Sequence, residues 1–318
     1  MFEDPILSAL KKESYGNYIF SKSQKIAPNI QTRWADGYPY SNLELLKKNK
    51  NLLLTNNIVV DADQYQHNIH TVDPSYYGCM YYAYNVDAAT PVEKNFNCFS
   101  NRFDIFRQSW FYHLVRRDWL NLGYVSFNCE ATLGRVPNSG YLELNEGELF
   151  EKAFQEHNQI FHQEHVKIKD QIPYRNFLET GDLTNLVLGS KFSIILETWF
   201  HDNHIITFSE KTMRCLQLPR PWVLFSVQYG IQQLRQWGFD VLDDVVDHSY
   251  DNISGVIERQ VAILELSEQL LELDIKKITS RCHEASKHNQ ALLKTWESHW
   301  FINMDRDFEI ARQKAIAL

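Results

Sequence analysis

Four consecutive residues, Ser209-Glu210-Lys211-Thr212, carry side chains suited to binding a nucleotide diphosphate. Lys211 supplies a mobile positive charge, and the Glu210 carboxylate can accept two hydrogen bonds from a ribose diol. Ser209 is a favourable N-cap residue, and the free N–H groups at the start of a helix attract phosphate. An exposed capping acid beside a solvated lysine would give the same local pattern. The residue types therefore indicate a nucleotide-binding turn, with a plain helix start as the alternative.

The segments on either side of this turn predict the elements that position it. Before the turn, an apolar run ends at Glu197, and after it Pro219 and Pro221 separate a helix-like segment from apolar residues 222–225. This order predicts a strand, a loop, a helix that begins at the turn, and a second buried strand. Glu197 would lie beside the turn, where it could orient a lysine or a bound sugar. We therefore count Glu197 among the candidate catalytic residues.

Residues 96–127 predict a second pair of strands joined by a helix. Apolar residues at 96–99 and 124–127 indicate strands, and a helical period runs through 106–119. A strand–helix–strand unit with short links requires a parallel sheet. Arg102 and Arg107 would then follow the carboxyl end of a strand, where open α/β sheets bind ligands. Each is a candidate ligand-binding residue, with a surface salt bridge as the alternative.

Asp61 and Asp63 follow an apolar run and form an Asp-x-Asp pair. Carboxylate oxygens are ligands that Mg²⁺ and Mn²⁺ prefer, so the pair could hold a divalent metal against a diphosphate. One of the two carboxylates could instead act as the base that removes a proton from an acceptor. A surface turn is the third interpretation. We assign Asp61 and Asp63 as candidate catalytic residues and predict no metal site.

Tyrosines are concentrated between residues 65 and 84, and 81–84 resembles a strand. Tyr76, Tyr82 and Tyr84 could stack a sugar or a base, because their ring faces are apolar and their hydroxyls polar. Packing of a sheet explains the same composition. Further along the chain, the pattern predicts helices at 231–237, 253–273 and over most of 276–318, with a strand at 239–241.

The order and spacing of these motifs resemble those of the fucosyltransferase-type glycosyltransferases (glycosyltransferase family 10). That family combines a strand ending in Glu, a [Thr/Ser]-Glu-Lys turn and a Pro-Val-Val strand, which here correspond to Glu197, Ser209-Glu210-Lys211 and Pro221-Trp222-Val223. Its Ser-Asn-Cys motif corresponds to Ser100-Asn101, although the cysteine is absent. Segments 234–240 and 247–251 also resemble tailed-phage proteins that have the same Glu-Lys-Thr core. The resemblance covers residues 96–259.

This resemblance implies an α/β protein of the GT-B type, with two Rossmann-like domains facing a cleft and a helical C-terminus. Residues 1–170 would form the acceptor-side domain and residues 171–300 the nucleotide-sugar-binding domain. Residues 301–318 would form a helix that packs back on the first domain. The implied donor ligands are Ser209, Glu210, Lys211 and Thr212, with Arg107, or as second choice Arg102, on the phosphates.

The implied activity is transfer of a sugar from a nucleotide-sugar, with UDP the expected nucleotide, to an acceptor hydroxyl. No cofactor would be required, and a divalent metal is the alternative. The phage-like segments favour 5-hydroxymethylcytosine in double-stranded phage DNA as the acceptor and glucose or arabinose as the sugar. A glycan acceptor is one alternative. A non-catalytic nucleotide-binding or structural phage protein is another.

Bulk composition sets limits on these interpretations. The 318 residues carry a net charge of -8, which disfavours a general electrostatic attraction to nucleic acid or to an anionic membrane. The five cysteines form no Cys-x-x-Cys pair, a pattern typical of reduced thiols. No signal peptide, membrane-spanning run or P-loop is present in the sequence. We therefore expect a soluble cytoplasmic protein, located in the host cytoplasm if the gene belongs to a phage.

Overall fold

The structure is a computed structural model, which describes residues 30–33, 52–55, 58–59, 69–81, 90–100, 105–127, 182–197 and 205–317. Five candidate site residues lie outside these ranges, namely Asp61, Asp63, Tyr82, Tyr84 and Arg102. The strands are β1 (Ile30–Arg33), β2 (Leu52–Thr55), β3 (Ile58–Val59), β4 (Ile69–Thr71), β5 (Lys94–Ser100), β6 (Gly123–Phe127), β7 (Ser190–Leu196), β8 (Ile205–Ile206) and β9 (Trp222–Phe225). The helices are α1 (Ile105–Arg116), α2 (Asp182–Leu188), α3 (Glu210–Leu216), α4 (Gly230–Gln236), α5 (Val256–Leu271) and α6 (Ile275–Ala317), with 3-10 helices at Pro74–Met80 and His248–Asn252.

A four-stranded parallel sheet with the order β6-β5-β7-β9 forms the centre of the described structure. The register pairs Cys98 with Val125 on one side and with Ile194 on the other. All residues of β7 except Lys191 are buried, as expected for a parallel strand covered by helices on both faces. The β5-α1-β6 unit confirms the strand–helix–strand unit predicted from residues 96–127 and, with it, the mixed α/β class.

Two smaller sheets use the remaining strands. β1, β2 and β4 form a three-stranded parallel sheet, and β3 pairs with β8 in an antiparallel ladder. The four-stranded sheet takes β5 and β6 from residues 1–170 and takes β7 and β9 from residues 171–300. A domain boundary at residue 170 would therefore cut through one hydrogen-bonded sheet.

The C-terminal helix α6 is 43 residues long. It contacts β1 and β2 of the three-stranded sheet, and it also contacts α3, which lies between β7 and β9 of the four-stranded sheet. Asp307 on α6 accepts a hydrogen bond from the Asp73 N–H at 2.7 Å and pairs with the His70 ring at 3.2 Å. The first 3-10 helix packs so closely on α6 that a Cβ on Gly78 would lie 2.3 Å from the Glu297 nitrogen. The helix predicted at 301–318 is thus the last part of one longer helix that reaches back to β4.

The strand predicted at 239–241 is wrong, because the structure has no strand there. The Asn289 side chain on α6 hydrogen-bonds both backbone groups of Asp240. It accepts from the N–H at 2.8 Å and donates to the carbonyl at 2.9 Å. These side-chain bonds satisfy the polar groups that a strand would pair in a ladder. Among the described residues, no helix has the length and apolar character needed to cross a membrane.

Candidate functional site

The carboxyl ends of β5 and β7 form the point at which the sheet changes its direction of winding. From β5 the chain crosses through α1 to β6 on one side, and from β7 it crosses through α3 to β9 on the other. Because parallel crossovers are right-handed, α1 and α3 lie on opposite faces of the sheet. In open α/β sheets the crevice at such a switch point is the usual ligand site. The candidate donor residues are located around this point.

Glu197 follows β7 directly and is fully buried, with 0% of its surface exposed. Its Oε1 atom accepts a hydrogen bond from the Ser209 N–H at 2.9 Å and a second, short one from the Thr212 hydroxyl. Its own N–H donates to the Phe225 carbonyl at 3.0 Å. One carboxylate therefore joins the end of β7 to the first turn of α3.

The expected catalytic role of Glu197 does not fit this burial, because a side chain with no exposed surface cannot touch a substrate. The structure gives Glu197 a positioning role instead. The same correction applies to Thr212. Its side chain is also 0% exposed, and its hydroxyl donates a hydrogen bond to Glu197. The expected contact between Thr212 and a donor is replaced by an internal hydrogen bond.

Ser209 is the N-cap of α3, as the sequence predicts. Its backbone is extended, with φ -105° and ψ 178°, and its Oγ accepts a hydrogen bond from the Lys211 N–H at 3.3 Å. The preceding Phe208 N–H donates to the Tyr77 hydroxyl, also at 3.3 Å. The turn is therefore fixed by Glu197, by its own cap and by the first 3-10 helix.

The charged side chains of the turn, Glu210 and Lys211, are partly exposed. Lys211 Nζ lies 3.7 Å from Glu210 Oε1, and the two side chains are 23% and 36% exposed, respectively. The same Nζ lies 3.4 Å from the Ser209 hydroxyl. A rigid backbone thus presents one cation and one carboxylate at the carboxyl end of the sheet.

Arg107 lies in the first turn of α1, after the end of β5, but it is only 2% exposed. Its Nη2 atom donates a short hydrogen bond to the Glu197 carbonyl oxygen. Arg107 therefore holds the end of β7 beside α1. The expected contact between Arg107 and a phosphate is not available in this arrangement, because the protein itself covers the guanidinium group.

A small cleft of about 50 Å³ opens beside the turn, between α2 and α3. Apolar side chains from α2, β5 and β7 line most of it, and the charged and amide side chains among its described lining are Asn97, Glu210, Lys211 and Arg214. Asn97 is itself fixed, because its Nδ2 donates to the Ser193 hydroxyl at 2.9 Å. Arg214 is half-buried and was not among the predicted site residues. It lies one turn after Lys211, a spacing that places both cations on one side of a helix.

Two buried cysteines near the cleft are not activated nucleophiles. Burial raises the pKa of Cys98 far above its usual range, and burial raises the pKa of Cys215 to about 11. Thiolates, not thiols, attack electrophiles, so neither group is prepared for covalent catalysis at neutral pH. Within the described ranges, no three His, Cys, Asp or Glu side chains come together as metal ligands.

Tyr76 does not have the open ring face that the acceptor-side prediction requires. It is 4% exposed and belongs to the hydrophobic core, with its ring 5.2 Å from Tyr77 in an edge-to-face contact. Tyr81, expected in a strand, follows the first 3-10 helix as its C-cap. Both tyrosines therefore pack against the core, which is the simpler interpretation of the tyrosine cluster.

The segment 247–251, which carries part of the phage-like resemblance, forms a buried hydrogen-bond network. The Tyr250 hydroxyl accepts from the Leu224 N–H at 3.0 Å and lies 3.0 Å from His248 Nδ1. The other ring nitrogen of His248 is 2.8 Å from the Val241 carbonyl. The Asp251 carboxylate accepts from the N–H groups of Ile231 and Gln232 and so caps α4. These residues support the loop after β9.

Sequence reasoning missed Arg214 and the structural role of Asp251. Arg214 falls in the last turn of a predicted helix, where a cation needs no functional explanation. Asp251 accepts from the N–H of Ile231, 20 residues earlier, and no local signal marks such a pairing. Comparisons of the chain with known protein families, with curated proteins and with solved structures find no match. The interpretation of the site therefore depends on its geometry and on the sequence motifs.

Proposed function

We propose that this protein is a glycosyltransferase that moves a sugar from a nucleotide-sugar donor to an acceptor hydroxyl. The observation that carries the proposal is the Ser209–Thr212 turn, which Glu197 fixes at the switch point of a parallel sheet. The turn leaves Glu210 and Lys211 as its exposed charged groups. This placement agrees with the motif order that resembles family 10 glycosyltransferases.

On the donor side, Lys211 would stabilise the negative charge that develops on the departing diphosphate. Preorganised charges of this kind usually make the largest contribution to catalysis. Glu210 would accept hydrogen bonds from the ribose hydroxyls. The ion pair between Glu210 and Lys211 would then be exchanged for contacts with the ligand. Glu197, Thr212 and Arg107 would hold the backbone and touch no substrate.

The reaction forms one bond and breaks one bond at the anomeric carbon of the donor sugar. The acceptor oxygen attacks this carbon, and the bond between the carbon and the diphosphate oxygen breaks. The nucleoside diphosphate leaves with the electron pair, and the acceptor proton passes to a base. Asp61 and Asp63 stay the candidates for that base. No metal is required in this scheme, since Lys211 provides positive charge at the leaving group.

The proposed architecture is of the GT-B type. The three-stranded sheet β1-β2-β4 would belong to the acceptor-side domain, and the four-stranded sheet would form the nucleotide-sugar-binding domain. This division moves the expected boundary from residue 170 to a point before β5, because β5 pairs with β7, and it leaves the β3–β8 ladder as a connection between the two domains. Helix α6 would link the two domains, and its contacts with β1 and β2 support that assignment.

The proposed acceptor is 5-hydroxymethylcytosine in double-stranded phage DNA, with UDP-glucose or UDP-arabinose as donor. Support comes from the resemblance of segments 234–240 and 247–251 to tailed-phage proteins. Such an enzyme must flip the modified base out of the duplex before transfer. The net charge of -8 requires that any DNA contact use a local basic surface. A glycan acceptor needs no such surface.

The test is an assay of donor hydrolysis and sugar transfer with a panel of UDP-sugars and GDP-fucose. The acceptor is duplex DNA that contains hydroxymethylcytosine, and the same duplex with ordinary cytosine is the control. We expect sugar only on the modified DNA, and equally with EDTA. Loss of transfer in EDTA would indicate a metal at Asp61 and Asp63. Donor hydrolysis without DNA modification would favour a glycan acceptor, and absence of both donor binding and turnover would overturn the proposal.

A matched pair of variants tests the site itself. Lys211→Ala should lower turnover by at least a hundredfold, because a charge-assisted contact to the leaving group contributes about 3 kcal/mol. Lys294→Ala removes an exposed lysine from α6 and should leave turnover unchanged. Both variants should unfold at the wild-type temperature. Normal turnover in Lys211→Ala would contradict the assignment of the donor site.

A further inference from the structure

The Arg214 guanidinium stands out among the arginines near the site because it has no hydrogen-bond or ion-pair partner among the described residues. Arg107 donates to a backbone carbonyl, and Arg220 donates to several carbonyls, including those of Leu188 and Ser190. Arg214 is half-buried and lines the cleft beside Lys211. A partly desolvated cation without a partner favours binding of an anion.

The charges around the cleft also favour an anion. Lys211 and Arg214 contribute two positive charges, and Glu210 contributes one negative charge that is paired with Lys211 at 3.7 Å. The described lining of the cleft is therefore positive on a protein whose net charge is -8. Asn97 offers no free donor, because its Nδ2 donates to the Ser193 hydroxyl at 2.9 Å and to the Phe192 carbonyl at 3.4 Å. An anion entering here would meet a guanidinium and an ammonium.

The chemistry of the lining indicates what this anion can be. A guanidinium fork matches the geometry of phosphate oxygens and can form two parallel hydrogen bonds with them. The apolar walls from α2, β5 and β7 lower the local dielectric and strengthen such contacts.

We infer that Arg214 and Lys211 together form a phosphate subsite, which holds the diphosphate of a nucleoside diphosphate at the edge of the cleft. Arg214 would take the role that the sequence assigned to Arg107, whose guanidinium is buried against Glu197. The identity of the ligand as a nucleoside diphosphate rests on the proposed function. The presence of a phosphate subsite rests on the cleft and its charges alone.

Isothermal titration with pyrophosphate and with UDP tests this inference. Arg214→Gln should weaken the binding of both ligands by roughly tenfold to a hundredfold, the usual effect of losing a charge-assisted hydrogen bond. Arg214→Lys should recover part of the loss, because the charge stays and the planar fork does not. Lys294→Ala is the control for a general change in charge and should bind both ligands like the wild type.

Glu210→Gln provides a readout in which the two ligands respond in opposite directions. Pyrophosphate should bind several-fold more tightly, because the carboxylate that competes for Lys211 is gone. UDP should bind less tightly, because an amide accepts fewer hydrogen bonds from the ribose than a carboxylate does. A merely structural role for the pair would change both affinities in the same direction or not at all.

The outcomes separate this inference from the proposed function. Wild-type binding of pyrophosphate that is unchanged in Arg214→Gln, with the variant normally folded, overturns the subsite. Absence of pyrophosphate binding to the wild type also overturns it. Pyrophosphate binding that depends on Arg214, without turnover of any nucleotide-sugar, supports the subsite and contradicts the glycosyltransferase proposal.

Discussion

The Glu197 carboxylate accepts a hydrogen bond from the Ser209 N–H at 2.9 Å and thereby joins the end of β7 to the start of α3. The same oxygen accepts from the Thr212 hydroxyl. Burying a carboxylate costs free energy unless the group is well hydrogen-bonded. The two donors therefore stabilise the buried acid, and the acid in turn satisfies the two donors. The backbone of the turn is fixed by this arrangement before any ligand arrives.

We expect Glu197→Ala to lower the free energy of unfolding by about 3 kcal/mol, because buried donors lose their acceptor. Glu197→Gln keeps an acceptor oxygen and should cost about half as much. In a double-mutant cycle with Thr212→Val, the coupling energy should be at least about 1 kcal/mol. Urea denaturation of the two single variants and the double variant measures it, and additive effects would show that the two side chains do not interact.

Tyr229 has a left-handed backbone, with φ 67° and ψ 14°, directly before α4. An L-residue in this region is strained by about 1 kcal/mol, and glycine is not. Tyr229→Gly should therefore be more stable than Tyr229→Ala by about 1 kcal/mol, the reverse of the usual order for these residues. Asp118, with φ 55°, provides a second site for the same pair of substitutions. Equal stability of the glycine and alanine variants at both sites would show that the backbone is unstrained.

Gly78 lies against the backbone of α6, where a Cβ would come within 2.3 Å of the Glu297 nitrogen. Gly78→Ala should cost about 2–3 kcal/mol, because a backbone contact cannot move as a side chain can. Gly255→Ala is the matched control, since its Cβ would meet only the flexible end of Glu258. That change should be nearly neutral in thermal denaturation. Similar losses in both variants would contradict the close approach of the two helices.

His248 makes stability depend on pH. Burial lowers its pKa from 6.5 to about 4, although the hydrogen bond to the Val241 carbonyl opposes the shift. The folded state thus prefers the neutral ring, so stability is greatest above pH 6.5 and falls as the pH decreases toward 4. The loss amounts to at most about 3 kcal/mol.

His248→Gln can still accept from Tyr250 and donate to Val241 but cannot gain a proton in this range. Its unfolding free energy should therefore fall less than that of the wild type between pH 7 and pH 4.5. His113, whose pKa burial also lowers to about 4, titrates in the same window and is present in both proteins. The difference between the two proteins isolates His248, and parallel losses of stability would assign the pH dependence elsewhere.

Local patterns predicted the parts of this site that lie close together in the sequence. The N-cap at Ser209, the helix after it and the β5-α1-β6 unit follow from capping chemistry, periodicity and the handedness of crossovers. The burial of Arg107 and Glu197 could not be predicted, because it depends on contacts between segments 90 residues apart. The false strand at 239–241 has a similar cause, since Asn289 bonds both backbone groups of Asp240 from far along the chain.

Helix α6 also has a mechanical consequence. At about 1.5 Å per residue, its 43 residues span roughly 65 Å, and a hydrogen-bonded helix resists stretching. On this helix, Asn289 donates a hydrogen bond to the Leu216 carbonyl at the end of α3. Asp307 accepts one from the Asp73 N–H, which follows β4. The spacing between these two attachment points is therefore set by 18 residues of helix. Any opening of the protein along this axis has to bend the helix or break the hydrogen bonds at Asn289 or at Asp307.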